Sequence, residues 1–336
     1  MLAKTFGCSL FGVQSALITI ETHVGQGSKC HLVGLPDSTI KEAILRVESS
    51  IKQMGCFFPR RKVVINLAPA NVRKEGSAYD LAIALSIIQA SEQVHMPEME
   101  HYVIMGELAL DGKLRPIKGA LAIALESRKN GIRKLILPKE NAHEAAFVES
   151  LEVFGMESLS ETVQFLRGKT IHQAIKIDNP FTAPTKNSLN FAQVQGQLMA
   201  KRAFEIAAAG GHNLILIGPP GSGKTMLAKR FPSILPPLKL EEAMETTVVH
   251  SIAGKIPAQQ SLLTERPYRS PHHSISATAL IGGGSNPQPG EITLAHNGVL
   301  FLDELTEFSK NVLEVMRQPL EDRKVHISRA RYATEF

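Results

Sequence analysis

Leu214-Ile-Leu-Ile-Gly-Pro-Pro-Gly-Ser-Gly-Lys-Thr225 is the stretch that decides how the second half of the chain is interpreted. The apolar run 214–217 predicts a buried parallel strand that leads into a glycine-rich turn. Such a turn lets backbone N–H groups surround a phosphate, while Lys224 reaches the β- and γ-phosphates and Thr225 can hold Mg²⁺. A helix predicted from Met226 to Arg230 would add positive charge at its N-terminus. The expected phosphate contacts are Gly218, Pro219, Pro220, Gly221, Ser222, Gly223, Lys224 and Thr225.

A second apolar run, residues 298–302, ends in two adjacent carboxylates, Asp303 and Glu304. When such a strand accompanies a phosphate-binding loop, the first carboxylate holds Mg²⁺, often through water. The second is placed to activate the attacking water as a general base. An apolar run followed by Asp-Glu is weak alone, but its combination with the loop predicts Asp303 as a metal residue and Glu304 as a catalytic residue of Mg²⁺–ATP hydrolysis.

Length and composition favour a globular protein of two domains, with 336 residues, 43% of them hydrophobic and 21% charged. No apolar run approaches the roughly 20 residues that span a bilayer. The first residues also lack the apolar stretch of a signal peptide. We therefore expect a cytoplasmic protein with no membrane partner. Cys8, Cys30 and Cys56 form no C-x-x-C pair and are expected to be buried free thiols.

The net charge of +5 is compatible with nucleic-acid binding but does not establish it. One tight basic triplet, Arg60-Arg61-Lys62, fits a solvated turn before the strand at 63–66 equally well. Tyr and Phe are sparse and Trp is absent, so no aromatic platform for stacking bases stands out.

The first 168 residues alternate strand-like and helix-like segments, and residues 169–189, rich in Pro, Thr and Asn, predict a linker. The second domain is then expected over 190–336. The predicted strands of the first half are 16–22, 62–67 and 134–138, and the predicted helices are 38–54, 80–90 and 141–148, the last with Asn141 as its N-cap.

The segment between the two nucleotide motifs contains His272 and His273, and His296 follows later. Adjacent residues point in different directions on a helix or strand, and no carboxylate or thiol partner is evident, so no metal site is expected there. The glycine-rich run 279–284 is expected to form a hairpin or loop that reaches a ligand or a neighbouring subunit.

Four stretches carry a family signature: Arg-Pro-Tyr-Arg-Ser-Pro-His-His (266–273), Ala-Leu-Ile-Gly-Gly-Gly (279–284), 289–305 and 316–330. They resemble the magnesium-chelatase-like AAA+ proteins, and most closely the ComM/YifB family, over nearly the whole chain. The resemblance implies an α/β architecture in two parts. An N-terminal Lon-protease-like (ribosomal S5 domain 2-like) α+β domain over 1–168 would precede a P-loop AAA+ doubly wound parallel sheet over 190–336.

The same resemblance implies a function. ATP and Mg²⁺ are the expected cofactors, a homo-hexamer is the expected assembly, and single-stranded or branched DNA is the expected partner. The expected activity is that of a DNA helicase that promotes branch migration in natural transformation. By analogy with AAA+ ATPases, Gly196 and Gln197 would lie against the adenine, although a turn before the helix predicted over 198–209 is the alternative. A magnesium-chelatase-type ATPase subunit is the second functional hypothesis.

A Lon-like domain also raises the hypothesis of a Ser-Lys peptidase. Aligned on Lys74-Glu75-Gly76, the nucleophile position falls on Ala78, and Ser77 is one place early. Leu121 occupies the place of the lysine, and Lys118 lies three residues before it. A nucleophile without an adjacent base is not activated, so a non-proteolytic domain is expected.

The resemblance places further ATPase elements, namely sensor 1, the arginine finger and sensor 2, after the residues matched here. The AAA+ core is therefore expected to be incomplete at its C-terminus, at Phe336. Because an arginine finger is worth about 10³–10⁵ in rate, slow hydrolysis is expected of this polypeptide. An inactive nucleotide-binding remnant is the corresponding alternative.

Overall fold

A computed structural model of the protein describes residues 1–177, 189–256, 262–284, 287–329 and 332–335. The chain divides into two compact units. Unit 1 comprises Met1–Asp178 with Gly254–Ser261, and unit 2 comprises Asn179–Ala253 with Leu262–Phe336. Most of the predicted linker 169–189 lies outside the described residues, so the domain boundaries at 168 and 190 stay a prediction.

Unit 1 is built on a seven-stranded sheet with the order β3-β4-β2-β1-β5-β8-β9. The pairs β1·β2 and β2·β4 are antiparallel, whereas β3 runs parallel to β4, and β5, β8 and β9 continue the sheet in parallel beyond β1. A short hairpin, β6·β7, pairs separately. The strands are β1 (Leu2–Phe11), β2 (Gln14–Gly25), β3 (Cys30–Val33), β4 (Lys62–Ala68), β5 (Tyr102–Ile104), β6 (Glu107–Leu108), β7 (Leu114–Arg115), β8 (Lys134–Pro138) and β9 (Glu152–Met156).

Five helices accompany this sheet, and the predictions for strands 16–22, 62–67 and 134–138 and for helices 38–54 and 80–90 are confirmed. The five helices are α1 (Ser38–Gln53), α2 (Asp80–Ala90), α3 (Ala120–Lys129), α4 (Lys139–Ala145) and α5 (Leu159–Leu166). Asp37 caps α1 by accepting a hydrogen bond from the Ile40 N–H at 2.8 Å.

The predicted N-cap of the helix at 141–148 is wrong. The helix α4 begins at Lys139, so Asn141 lies inside it. The Asn141 amide instead accepts a hydrogen bond from the Ile117 N–H and donates one to the Ile117 carbonyl, both at 2.8 Å. The side chain is thus used to hold a neighbouring loop rather than to cap its own helix.

Helix α2 forms the centre of unit 1, since all of its residues are buried. A charged residue begins it: Asp80 is fully buried and accepts hydrogen bonds from Arg46 Nε at 2.7 Å and Arg46 Nη2 at 3.1 Å. The Leu108 N–H donates a third at 3.3 Å. Burial nevertheless raises the pKa of Asp80 to about 6, because desolvation outweighs the hydrogen bond and charge of Arg46.

We predict that Arg46→Ala destabilises unit 1 by about 3–5 kcal/mol near neutral pH, because it leaves a buried carboxylate without its partner. A raised acid pKa means that the folded state binds the proton more tightly. The stability contributed by protonated Asp80 is therefore lost as pH rises through about 6. Urea unfolding should accordingly show a larger loss at pH 8 than at pH 5.

Arg115→Ala is the matched control, because that guanidinium is 64% exposed and lies 3.6 Å from Glu107. It should cost less than about 1 kcal/mol at either pH. A loss for Arg46→Ala that equals the control, or that is independent of pH, would contradict the prediction.

Unit 2 contains short elements, and among the described residues its parallel pairing is limited to β10·β13. The predicted helices at 198–209 and 226–230 are confirmed. In the glycine-rich run 279–284, expected to form a hairpin or loop, residues 279–281 belong to a helix and Gly282–Gly283 pair with residues 288–289, while its contact with a ligand or a neighbouring subunit stays a prediction. The elements are α6 (Leu198–Gly210), α7 (Lys224–Arg230), α8 (Leu240–Ile252), β10 (Tyr268–Arg269), α9 (Ala277–Ile281), β11 (Gly282–Gly283), β12 (Gln288–Pro289), α10 (Glu291–Leu294), β13 (Val299–Leu300), α11 (Lys310–Val315), α12 (Arg317–Asp322), β14 (His326–Arg329) and β15 (Tyr332–Glu335).

The prediction of a buried strand over 214–217 is wrong. These residues have no regular secondary structure, and Leu214, Ile215 and Ile217 are 39%, 71% and 90% exposed. A parallel strand becomes buried only when neighbouring strands pair with it and helices cover it. No strand among the described residues pairs with this segment. The apolar run at 298–302 is likewise only partly a strand, β13, and is half-buried.

The cysteine prediction is partly corrected. All three cysteines are free thiols, but only Cys8 is buried, while Cys56 is half-buried and Cys30 is exposed on the edge strand β3. Burial raises the pKa of the Cys8 thiol to about 12. Among the described residues, no helix is long and apolar enough to cross a membrane.

Candidate functional site

The glycine-rich loop ahead of α7 adopts a conformation that its glycines permit. Gly221 and Gly223 have φ angles of +77° and +83°, where side chains with a Cβ are strained. A Cβ on Gly218 would lie 3.0 Å from the Ser222 hydroxyl oxygen, so the loop closes tightly. The first hydrogen bond of α7 runs from the Leu227 N–H to the Gly223 carbonyl, at 2.9 Å. The N–H groups at the start of the helix precede that bond and have no acceptor within the helix.

Lys224 folds its side chain over this loop. Its Nζ donates to the Gly218 carbonyl at 2.7 Å and to the Pro219 carbonyl at 3.0 Å. No carboxylate within the described ranges pairs with this ammonium, so its charge stays uncompensated at the loop. The Ser222 hydroxyl is buried and has no partner among the described residues. The loop therefore combines a free positive charge with unused donors, as an anion-binding site requires.

The hydrogen bond from Thr225 Oγ1 to Asp303 Oδ2, at 2.8 Å, joins the two motifs across 78 residues of sequence. A hydroxyl and a carboxylate are the hard oxygen donors that Mg²⁺ prefers, and Mg²⁺ commonly uses one or two protein oxygens together with substrate phosphates. The donor set of this chain therefore fits a Mg²⁺–nucleotide, with Thr225 and Asp303 as the protein ligands. Nowhere in the described ranges do three or more His, Cys, Asp or Glu side chains cluster as a separate metal site.

Asp303 is positioned through the strand β13 that precedes it. The Val299 N–H donates to the Pro267 carbonyl and the Phe301 N–H to the Arg269 carbonyl, both at 2.8 Å. At Gly298 a Cβ would meet the Pro267 carbonyl oxygen at 2.1 Å, so only glycine allows this close approach. The 266–273 segment thus aligns the strand that ends at Asp303.

Two arginines of that segment hold it in place, and sequence reasoning gave them no role. Arg269 makes a two-bond ion pair with Glu291, at 2.5 and 2.7 Å. Arg266 donates to the Pro236 and Asn297 carbonyls, both at 2.6 Å, and to Glu242 at 3.1 Å. The one feature of the sequence that could have indicated a role for these arginines is their place in the Arg-Pro-Tyr-Arg motif. Their partners lie 22 to 31 residues away, so the motif alone does not identify them.

Glu304 is not engaged with the loop in this structure. Its φ angle is +54°, and its side chain is 65% exposed. The carboxylate lies 3.3 Å from His273 Nδ1, and the ring of His273 lies 4.0 Å from the ring of His272. The expectation that these histidines lack carboxylate partners is therefore wrong, and His296 likewise pairs with Glu245 at 3.2 Å.

Gly196 and Gln197, the predicted adenine contacts, lie next to the phosphate-binding loop. Both have positive φ angles, +66° and +52°, and Gln197 Nε2 donates to the Ser222 carbonyl at 2.8 Å. The side chains of Phe191 and Phe204 share a small core with Leu227 of α7, so the segment is packed against the helix that follows the loop. The segment is therefore brought to the loop, and its contact with adenine stays a prediction.

In unit 1, the residues compared with a peptidase dyad have other partners. The Ser77 hydroxyl donates a hydrogen bond to a Glu107 carboxylate oxygen. The Ala78 carbonyl accepts from the Gly106 N–H at 2.7 Å, and Leu121 is fully buried. Lys118 is exposed.

Together, the phosphate-binding loop, the Thr225–Asp303 contact and the preceding α/β unit define a protein of the magnesium-chelatase-like AAA+ class. The profile of the family described as "Magnesium chelatase, subunit ChlI" matches residues 190–336, and that of "Subunit ChlI of Mg-chelatase" matches residues 20–141. The chain belongs to the ComM/YifB family of this class.

Three relatives illustrate the assignment. The uncharacterized protein YifB of Salmonella typhimurium is 47% identical over 322 residues, which are 95% of this chain and 63% of the relative. The competence protein ComM of Haemophilus influenzae is 43% identical over 343 residues, covering 100% of this chain and 66% of the relative. Lon protease 2 of Bacillus subtilis is 30% identical over 177 residues, 48% of this chain and 30% of the relative.

These findings confirm the predicted fold class, a Lon-like unit followed by a P-loop AAA+ unit. They also place the protein in the magnesium-chelatase-like AAA+ family. The chain spans slightly less than two thirds of the length of the YifB and ComM relatives.

We predict that Thr225→Val weakens Mg²⁺-dependent nucleotide binding by about 10- to 100-fold, the usual cost of losing a group that holds or orients a metal ligand. Thr225→Ser keeps the hydroxyl and is the matched control. Titration with a fluorescent ATP analogue should separate the two variants in Mg²⁺ but not in excess EDTA. Equal affinities in Mg²⁺ would show that this hydroxyl takes no part in metal binding.

Proposed function

We propose that the protein is an ATP-driven DNA motor of the ComM type. It would form a homo-hexamer in the cytoplasm and promote branch migration on single-stranded or branched DNA. The observation that carries the proposal is the 2.8 Å hydrogen bond between Thr225 and Asp303, which brings the phosphate-binding loop to the Asp-Glu motif. The ComM relative, named as a competence protein, supports the choice of DNA. Unit 1 would act as a non-proteolytic scaffold.

Each residue then has a separate task. Lys224 and the loop N–H groups bind the phosphates, and Thr225 and Asp303 hold the metal. Bound Mg²⁺–ATP supplies the phosphoryl group to be transferred and neutralises part of its charge. Glu304 orients and deprotonates the attacking water after its carboxylate has moved away from His273. In this structure Glu304 Oε2 lies 3.3 Å from His273 Nδ1. Gly196 and Gln197 would contact the base.

The decisive experiment measures branch migration on a synthetic three-strand junction with ATP, using the full-length protein. We predict that Lys224→Ala abolishes migration because nucleotide binding is lost. Glu304→Gln should retain nucleotide binding but lower ATP turnover by about 10²–10⁴, the usual contribution of a general base.

Equal migration by the wild type and Lys224→Ala would exclude the motor function. Turnover stimulated by a porphyrin but not by DNA would instead favour the chelatase-type ATPase subunit. Glu307→Gln is the control for a neighbouring exposed carboxylate, and it should leave turnover unchanged.

A further inference from the structure

An exposed aromatic ring lies on unit 1 beside the basic triplet, between the end of α1 and the start of β4. Phe57 is 63% exposed. Its backbone is fixed by a two-bond clamp: the Phe57 N–H donates to Gln93 Oε1 at 2.9 Å, and Gln93 Nε2 donates to the Phe57 carbonyl at 2.8 Å. Gln93 Nε2 is itself held by Ser91 Oγ at 2.7 Å. The ring is therefore presented to solvent on a fixed segment of backbone.

Basic residues lie close to Phe57 along the chain and on the segment that pairs with β4. Arg60, Arg61 and Lys62 follow it within five residues and are all exposed. Lys29 lies on the neighbouring segment of the same chain, since its carbonyl accepts a hydrogen bond from the Val63 N–H at 3.0 Å. Arg167 is near enough for its positive charge to lower the pKa of Cys56, the residue before Phe57.

These five cations are not neutralised by neighbouring side chains. Within the described ranges, none of them forms an ion pair. Glu48, whose charge reaches Cys30 on the neighbouring strand, is paired with Lys52 at 2.6 Å. The surface thus combines uncompensated positive charge with an accessible ring.

We propose that Phe57, Lys29, Arg60, Arg61, Lys62 and Arg167 form a binding surface for single-stranded DNA on unit 1. Arg and Lys side chains follow the phosphates, and the ring stacks on one base, as in proteins that bind single strands without sequence preference. The choice of DNA over RNA rests on the proposed function, whereas the chemistry of the surface does not depend on ATP turnover. Aromatic residues are sparse in the sequence, so this platform became visible only through the exposure and anchoring of Phe57.

The absence of tryptophan from the sequence allows a direct test of stacking. Phe57→Trp creates a single fluorescent reporter at the surface, and Leu110→Trp creates a matched reporter at a residue of unit 1 that is 62% exposed. Titration of the full chain with an unlabelled dT20 oligonucleotide, without nucleotide, should quench the emission of Phe57→Trp but not that of Leu110→Trp. Quenching of both or of neither would overturn the proposal.

Affinity measurements with fluorescein-labelled dT20 test the energetics. Phe57→Ala should weaken binding by about 5- to 100-fold, the range expected for one stacked base. The slope of log K against log salt is negative, and Arg60→Glu/Arg61→Glu should reduce its magnitude by about 1.4, the value for two lost phosphate contacts on a single strand. Lys113→Glu/Lys129→Glu changes the net charge equally at exposed residues of unit 1 and should leave the slope unchanged.

Other ligands give distinguishable results. Quenching of Phe57→Trp by phosphatidylglycerol vesicles but not by dT20 would replace DNA with a membrane surface. Tighter binding of rU20 than of dT20 would overturn the assignment to DNA. A change in emission with protein concentration alone would indicate contact with a second copy of the chain and would also overturn it.

Failure of this proposal and failure of the proposed function are separable. The Lys224→Ala variant should bind dT20 as tightly as the wild type, because the loop belongs to unit 2. Retained quenching without ATP-dependent branch migration would contradict the motor function alone. Retained branch migration without quenching would contradict this surface alone.

Discussion

The arrangement of unit 2 depends on the hydrogen bond between Thr225 and Asp303. One partner lies in the first turn of α7, and the other directly follows β13. In this unit regular strand pairing is short, so side-chain bonds to the backbone carry much of the alignment. Arg266 and Arg269 fix the segment that pairs with β13, and their partners, carboxylates and carbonyls, satisfy charges that would otherwise be costly to desolvate. The position of Asp303 beside Thr225, on which the proposed metal site rests, is therefore supported by the arginine contacts around β13.

Unit 1 is organised by a different constraint. Its sheet is continuous over seven strands, and α2 is buried along its whole length, so apolar burial rather than polar contacts provides most of its stability. Charged residues are retained in that core, and the fully buried carboxylate among them, Asp80, requires Arg46 as its partner. The fold resembles that of a peptidase, but Ser77 is bonded to a carboxylate and Leu121 stands at the expected lysine position. The same fold can thus be retained while its surface serves another function, such as the DNA binding proposed for Phe57.

Local patterns predicted the elements that depend on local physics. The apolar helix 80–90 and the strand 62–67 follow from periodicity, and the two nucleotide motifs led to the expectation that Thr225 and Asp303 lie together, as their hydrogen bond shows. The strand at 214–217 failed because burial of an apolar run depends on neighbours that the run itself does not specify. Contacts between distant residues, such as Arg266 with Asn297 and Gln197 with Ser222, are equally invisible in a sequence pattern, since each requires the tertiary fold.

The site separates binding from chemistry. Lys224, Thr225 and Asp303 already occupy positions that suit a Mg²⁺–nucleotide, whereas Glu304 is turned toward His273. Glu304 has a left-handed backbone conformation, which costs about 1–3 kcal/mol for a residue other than glycine. The surrounding contacts must therefore impose that conformation. A general base acts only when it is within hydrogen-bond reach of the water it activates. Under the proposed function, nucleotide would bind before Glu304 is in place as the base, and hydrolysis would then require Glu304 to move away from the imidazole of His273. The proposed motor would need this order of events, because turnover that preceded engagement of its substrate would consume ATP without work.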